Sequence, residues 1–538
     1  MYSFFLANYA LMKFFFQSGK TPGLSLCQFL NRDPGPIGYN RCHCFFIYFS
    51  GFFSISFFFL CMKHIKLYFC LFLLLLPLTA CAETYSVSPE GLSITEALSQ
   101  CASGDVIELT DGVYDETQES FPLTVDQAVT IRAAEGAAPV IDAPAFKAAL
   151  RIEANGVTLQ NLEIRFRRTG IYAIGNDLTL EGCRISLAEE AWRTSSCGMW
   201  CGGAYRMTAR DCAFTGCGIS LAGPPLSESS VGKPLLTGLF EVGEELDYFV
   251  THTIENCTVN GKPVFYAVSQ PSVTAPRDAG EIICCGCDEV IVKDADVSDS
   301  SMGMVLTYNK HIHLENCRAD RCGVFGIYVA KCESGLLKDC AAAETNHGLD
   351  LRASRHLTLL NCEVTDCDQG LFFSHIEDSA MMDCTVQGTG QGYFMAGGSG
   401  NTLLRCMAFQ CENGFNLQKE GHVLMTGCAA ESCTVCGVRL DATPTAFVHN
   451  TLKDNWVAVM AYGGVSFDIA DNTFEQTGCC ALYLRDIGFS RFSGNSFAGS
   501  VQDSVQIVGT VSGSLWIGNA LDVPVNSAAA LDEFGLTQ

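Results

Sequence analysis

Hydrophobic and polar residues alternate in short runs along most of the chain. "HIHLEN" (311–316), "HLTLLN" (356–361) and "NTLLR" (401–405) each end on a polar residue followed by cysteine. Period-two alternation over five or six residues predicts half-buried strands, too short for the 3.6-residue period of a helix. The runs recur at a fixed interval. Aligned on the cysteine they give Cys317, Cys340, Cys362, Cys384, Cys406 and Cys428, spaced by 23 and then 22 residues. The column continues with Asn450, Asn472, Asn495 and, more loosely, Asn519. Backwards it runs through Ala295, Cys257, Cys212, Cys183 and Leu162, with insertions between some of them.

Each repeat has one anatomy. An apolar residue stands two places after the column, at Ala319, Val364, Val386, Leu452, Phe474 and Phe497. Some eight to ten residues after the column a small residue opens a second alternating run, as in "GIYV" (326), "GLDL" (348), "GLFF" (370), "GFNL" (414) and "GVRL" (437). One coil per 22 residues predicts an all-β solenoid of parallel strands with about fifteen coils. One stretch breaks the pattern. In "SITEALSQCA" (93–102) Ser93 and Glu96 make a capping box, predicting a short helix that plugs the open N-terminal end of the solenoid.

Composition narrows the function classes. The chain has 538 residues, 48% of them hydrophobic, and 30 cysteines. Residues 83–538 hold 57 acidic and 27 basic side chains, a surface that repels nucleic acid and anionic lipid. The first 82 residues differ. "MKHIKLYFCLFLLLLPLTACAE" (62–83) reads as an export signal, with Lys63 and Lys66 ahead of the apolar stretch Leu67–Leu78. Its end fits either cleavage at Ala80-Cys81-Ala82 or a lipobox, Leu78-Thr79-Ala80-Cys81, that would lipidate Cys81. Residues 1–61 are expected to lie outside the mature protein, as a start assigned too early or an extra hydrophobic segment. The organisation expected is then a signal at 62–82, a cap and first strands at 83–128, a β-helix at 129–525 with loop insertions at 188–279, and a tail at 526–538. The mature chain is expected to be exported, to the periplasm, the cell surface or the medium, and to meet a membrane only through its N-terminus.

The coil pattern, with Asn or Cys at the bend and G-h-x-h after it, resembles the right-handed parallel β-helix of the pectin-lyase-like superfamily. "GLSITEALSQCASGDVIELTDGVY" (91–114) resembles the opening of such proteins. "ENCTVNGKPVFYAV" (255–268) and "DAGEIICCGCDEVIVKDADVSDSSMGMVL" (278–306) are similar to the NosD-like periplasmic β-helix family. The resemblance covers about 85–525 and implies asparagine in the bend column, where this chain mostly has cysteine. It also implies a link to copper-site maturation, for which His311 and His313 on one strand face are the available imidazoles. The superfamily's hydrolase motifs (N-T-D, G-H-G, R-I-K), the lyase R-x-P-x-x-R and the epimerase D-P-H-D are absent from the sequence.

The column residues flank inward apolar positions, so the cysteines should point into the solenoid. Neighbouring coils lie about 4.8 Å apart, whereas a disulfide needs Cβ atoms about 3.8 Å apart and turned toward each other. Packing as small hydrophobes is the expectation. Disulfides remain open for pairs off the column, at Cys197 and Cys201, Cys284, Cys285 and Cys287, or Cys479 and Cys480; no metal site is expected.

Candidate chemistry sits on the outward positions of the G-h-x-h strand. Tyr172, Trp200, Tyr328, Phe372, Phe394, Asn416, Arg439 and Tyr483 make a stripe of rings and hydrogen-bonding groups suited to a polysaccharide or other cell-envelope component. Stacking of those rings on one another along the sheet is the structural alternative. The insertions hold Trp192 and Trp200, and the acidic run Glu241, Glu244, Glu245 and Asp247 offers oxygen ligands for Ca²⁺. A catalytic cluster would be His347, Asp350, Arg352, Ser374 and His375, with His347 or Arg352 as base and Asp350 orienting it. The expected function is binding of polysaccharide, or a surface scaffold, without catalysis. A lyase or epimerase acting on uronic-acid glycans is the alternative, and a copper-site accessory protein the next.

Overall fold

The computed structural model describes residues 82–144, 147–188, 196–222, 245–500 and 502–521. The expected signal, Cys81, Trp192, Glu241, Glu244 and the tail lie outside them. The described chain is a parallel β-solenoid of about 18 turns, somewhat more than the fifteen read from the sequence. Its helices are α1 (Ile94–Gln100) and α2 (Asp247–Val250). The helix α1 has the expected capping box and buries Ile94, Ala97 and Leu98 against the first strands.

A typical coil has three strands, one more than the sequence pattern suggested. His347–Arg352, Leu357–Leu360 and Glu363–Thr365 make one coil, and each pairs in parallel with its counterpart 22 residues on. Inward columns stack in register: Leu349, Leu371, Tyr393, Phe415 and Val438 follow one another through the core. Removing a side chain of this size from water contributes about 1.5–3 kcal/mol, so the core grows coil by coil.

Two features fix the corners. The residue before the column has positive φ in coil after coil, as at Asn316, Asp339, Asn361 and Asp383, and Asn and Asp tolerate this left-handed region best. At the other corner the backbone comes too close for a side chain. A Cβ on Gly348 would lie 2.3 Å from Val364 Cγ1, and one on Gly370 would lie 2.4 Å from the Gly392 carbonyl.

The cysteine pairs five apart flank the shortest strand of the coil, so Cys362 and Cys367 bracket Glu363–Thr365 and both are buried. Every described cysteine is free. Cys317, Cys362, Cys406 and Cys428 each direct Sγ at a backbone carbonyl of the preceding coil, at 3.4–3.5 Å. Beyond Cys428 asparagine takes over. Asn472 Nδ2 donates to the Phe447 carbonyl at 2.8 Å while its Oδ1 accepts from the Asn450 N–H at 2.8 Å; Asn495 repeats the arrangement at 2.8 and 3.0 Å. The second column alternates thiols with hydroxyls, Thr345 Oγ1 meeting Cys367 Sγ at 3.2 Å and Thr389 Oγ1 donating to Cys411 Sγ at 3.3 Å. Burial pushes Cys322 and Cys332 up to about 12, so these thiols stay protonated at neutral pH.

The solenoid is not continuous. Within 188–279, read from sequence as loop insertions, regular strands such as Cys197–Gly202, Thr208–Arg210 and Ile219–Ala222 carry on the first stack of coils. That stack's five-stranded sheet ends at Ile219–Ala222. The chain then reverses through an antiparallel pairing of Thr258–Val259 with Lys262–Pro263 and starts a second stack at Lys262–Val268. One apolar cluster joins the two, uniting Tyr172, Trp200 and Leu221 of the first with Ile283, Val305 and Tyr328 of the second.

Candidate functional site

The site lies on the outer face of the second stack, along the sheet running from Lys262–Val268 to Asp503–Ser512. Three outward columns run across it. One holds Phe325, His347, Gln369, Gln391 and Asn413; the next Tyr328, Asp350, Phe372, Phe394, Asn416, Arg439, Met460 and Tyr483; the last Ala330, Arg352, Ser374, Ala396, Gln418, Asp441 and Tyr462.

The predicted stripe is corrected in two ways. Tyr172 and Trp200 belong to the five-stranded sheet of the first stack, where their rings meet edge-on at 5.0 Å, so the stripe is interrupted at the seam. Tyr172, Trp200, Tyr328 and Asn416 are also only 3%, 4%, 1% and 4% exposed, so they are packed groups rather than a surface platform. Phe372, Phe394, Arg439 and Tyr483 remain half-buried. Phe372 and Phe394 stack nearly parallel, centroids 4.8 Å apart and planes within 9°. Half-exposed polar groups continue the surface at Gln391, Gln418 and Arg439, with the buried Asn416 linking the two glutamines. Asn416 Nδ2 donates to Gln391 Oε1 at 2.8 Å, Gln418 Nε2 donates to Asn416 Oδ1 at 3.1 Å, and the Arg439 guanidinium sits 5.3 Å from the centre of the Tyr462 ring.

The predicted cluster is brought together in part. Asp350 is fully buried and accepts from both sides, from Arg352 Nε at 2.6 Å and Nη2 at 2.8 Å, with His347 Nδ1 2.7 Å from its Oδ2. Burial pushes the Asp350 carboxyl up, but the charge and hydrogen bonds of Arg352 and the hydrogen bond from His347 outweigh it, and the carboxyl lies below its ordinary value. Asp350 and Arg352 therefore form a buried ion pair to which the His347 ring is hydrogen-bonded. Rings enclose it: the Arg352 guanidinium lies 4.9 Å from the Phe372 ring centre and 5.8 Å from that of Phe325, and His347 packs against both rings. Ser374 follows Arg352 in its column, but His375 sits on the adjoining turn, bonded to Ser374 Oγ at 3.0 Å and outside that group.

Sequence reasoning missed Tyr308 and Lys331. They stand on the turn beside Arg352's column, where Lys331 Nζ donates to the Tyr308 hydroxyl at 2.8 Å and lies 4.9 Å from its ring centre. Their 23-residue separation signals nothing until the register is known. His311 and His313 do share the outer side of their strand, with His311 Nδ1 2.6 Å from Ser334 Oγ and His313 Nε2 3.7 Å from Glu315. Glu245 and Asp247 flank the start of α2, and among the described residues no three His, Cys, Asp or Glu side chains are grouped to hold a metal ion. No helix among them is long and apolar enough to cross a membrane.

No curated protein matches the chain in sequence. Among solved structures it is similar to the periplasmic alginate epimerase AlgG (10% identity, 77% of this chain and 85% of that one, TM-score 0.26). It is likewise similar to the A-module of an Azotobacter vinelandii mannuronan C-5 epimerase (11%, 78% and 92%, TM-score 0.25). A third is a Yersinia enterocolitica family 28 exopolygalacturonase (10%, 82% and 80%, TM-score 0.28). The family model described as "right handed beta helix region" matches residues 236–388, 337–474 and 374–521. These matches overlap into one stretch that takes in the whole candidate face and more than half of the sequence, and the chain belongs to that right-handed β-helix family.

Proposed function

We propose that this chain is an exported cell-envelope or extracellular β-helix protein that binds a polysaccharide along the half-exposed part of the outer face, from Phe372 to Tyr483. The observation that carries the reading is the stacked Phe372–Phe394 pair beside the half-exposed amides of Gln391 and Gln418, which the buried Asn416 ties together. Aromatic faces bind the C–H faces of sugar rings while amides pair with hydroxyls, and parallel coils offer both at a spacing near 4.8 Å along one line. The test is electrophoresis of residues 83–538 through gels holding neutral or uronic-acid polysaccharides, with Ca²⁺ present. Retardation in one gel supports binding and gives the ligand class; free migration in all of them removes the reading and leaves a scaffold.

One arrangement favours catalysis as the second reading. His347 is fixed through Nδ1 by a buried carboxylate, the geometry that orients an imidazole base, and the Tyr308–Lys331 pair adds a hydroxyl polarised by an ammonium. A lyase or epimerase acting on uronic-acid glycans would use such groups. A cleared track in the same gels, or new absorbance from an unsaturated uronate, would support that reading, and intact polymer with no change in its uronate stereochemistry would remove it.

A further inference from the structure

The first stack ends in a bare edge. Ile219–Ala222 is the last strand of its sheet, and no described strand of the second stack pairs with it on that side. Buried N–H groups at such an edge need acceptors. Two side chains of the second stack provide them. Ser301 Oγ accepts from the Gly218 N–H at 2.8 Å and the Gly198 N–H at 3.0 Å, and Glu281 Oε2 accepts from the Ile219 N–H at 2.9 Å. Both side chains are wholly buried. In register Glu281 lies beside Gly303, at the corner where succeeding coils carry Gly326, Gly348 and Gly370. A carboxylate has replaced hydrogen at the one corner where the stacks meet.

The environment opposes charge. Facing Glu281 are the thiols of Cys197, Cys217, Cys257 and Cys322, with no cation among them. Its Oε1 has no hydrogen-bond partner. An ionised carboxylate here would be compensated by little more than the backbone N–H groups of Ile219 and Met302, whereas the protonated form is buried at far lower cost. Burial accordingly pushes the Glu281 carboxyl up to about 8, against the smaller pull of those two N–H groups.

We propose that Glu281 is a pH-operated clasp between the two stacks, closed while its carboxyl carries a proton and loosened as the proton leaves. The sign follows from linkage. A carboxyl that titrates higher when closed than when opened to water makes the closed state bind more protons between the two values. Opening therefore becomes easier as pH rises from the ordinary carboxylate range to about 8, and levels off above that.

Hydrogen exchange read by mass spectrometry between pH 5 and 9, corrected for intrinsic rates, tests this. Peptides covering 219–222 and 281–285 should show an opening equilibrium rising up to about tenfold per pH unit and flattening above pH 8. A reference peptide at 403–417, in the uninterrupted second stack, should show no such slope. Glu281→Gln should remove the slope, and Ser301→Ala should loosen the seam equally at every pH. A seam that tracks the reference peptide, or a slope that survives in Glu281→Gln, overturns the proposal. If Glu281→Gln does not fold, the wild-type slope against Ser301→Ala decides.

Discussion

His347 and Asp350 stand three residues apart on one strand, yet their side chains meet at 2.7 Å on the same outer face. On a regular strand such residues point to opposite sides. Here Gly348 and Leu349 both turn inward, Leu349 into the core and Gly348 against Val364, so the corner of the coil returns the next residue to the outside.

Asp350→Asn should expose the cost of that arrangement. It leaves the Arg352 guanidinium beside a neutral amide at a largely buried site, and a loss of about 3 kcal/mol is expected in urea unfolding at pH 7. The folded Asp350 carboxyl lies below its ordinary value. Its contribution is therefore present above that ordinary value and disappears as pH falls through the lower folded one, so the gap between variant and wild type should close in acid. A constant gap would show that packing, not charge, is responsible.

Gly348→Ala tests the corner. The added methyl would lie 2.3 Å from Val364 Cγ1 and must push apart two strands of one coil. Destabilisation of about 1–3 kcal/mol is expected by thermal or urea unfolding, and pairing it with Val364→Ala should restore part of the loss.

Phe372→Ala with Phe394→Ala should abolish retention in the polysaccharide gel that retards wild type, while circular dichroism and the unfolding midpoint show the fold kept. Retention that persists would make the stacked pair structural only.

The two halves of the bend column should differ in what they contribute. Asn472→Ala strands the Asn450 N–H and the Phe447 carbonyl, at a cost of about 3 kcal/mol. Cys362→Ala loses one sulfur and its weak bond to the Leu337 carbonyl, about 1 kcal/mol. Since the described cysteines are free, a reductant should leave the melting temperature of either protein unchanged.

The repeat was legible because stacking leaves a periodic trace: the bend column, the glycine that opens each outer strand and the capping box at Ser93 all carry local chemistry. The third strand was not, since in Glu363–Thr365 only Val364 faces inward, and one apolar residue makes no period. The break at Ile219–Ala222 was hidden for a related reason. Strands on both sides of it alternate alike, and only the pairing partner changes. Alternation also says which way Tyr328 or Asn416 points and nothing about what lies over it, so residues read as surface are buried. Arg352 clasping Asp350 was within reach of the sequence; Lys331 on Tyr308 required the register.

The lining of thiols has a consequence for the chain's history rather than its shape. Within the second stack, Cys317, Cys340, Cys362, Cys384, Cys406 and Cys428 each belong to a separate coil, safe from oxidants only once the neighbouring coils close over them. A chain that unravels in air presents all of them together, and any wrong sulfur–sulfur bond would tie coils that must lie in sequence. Maturation is then a contest between winding and oxidation, and a molecule that loses it once cannot rewind without an electron donor.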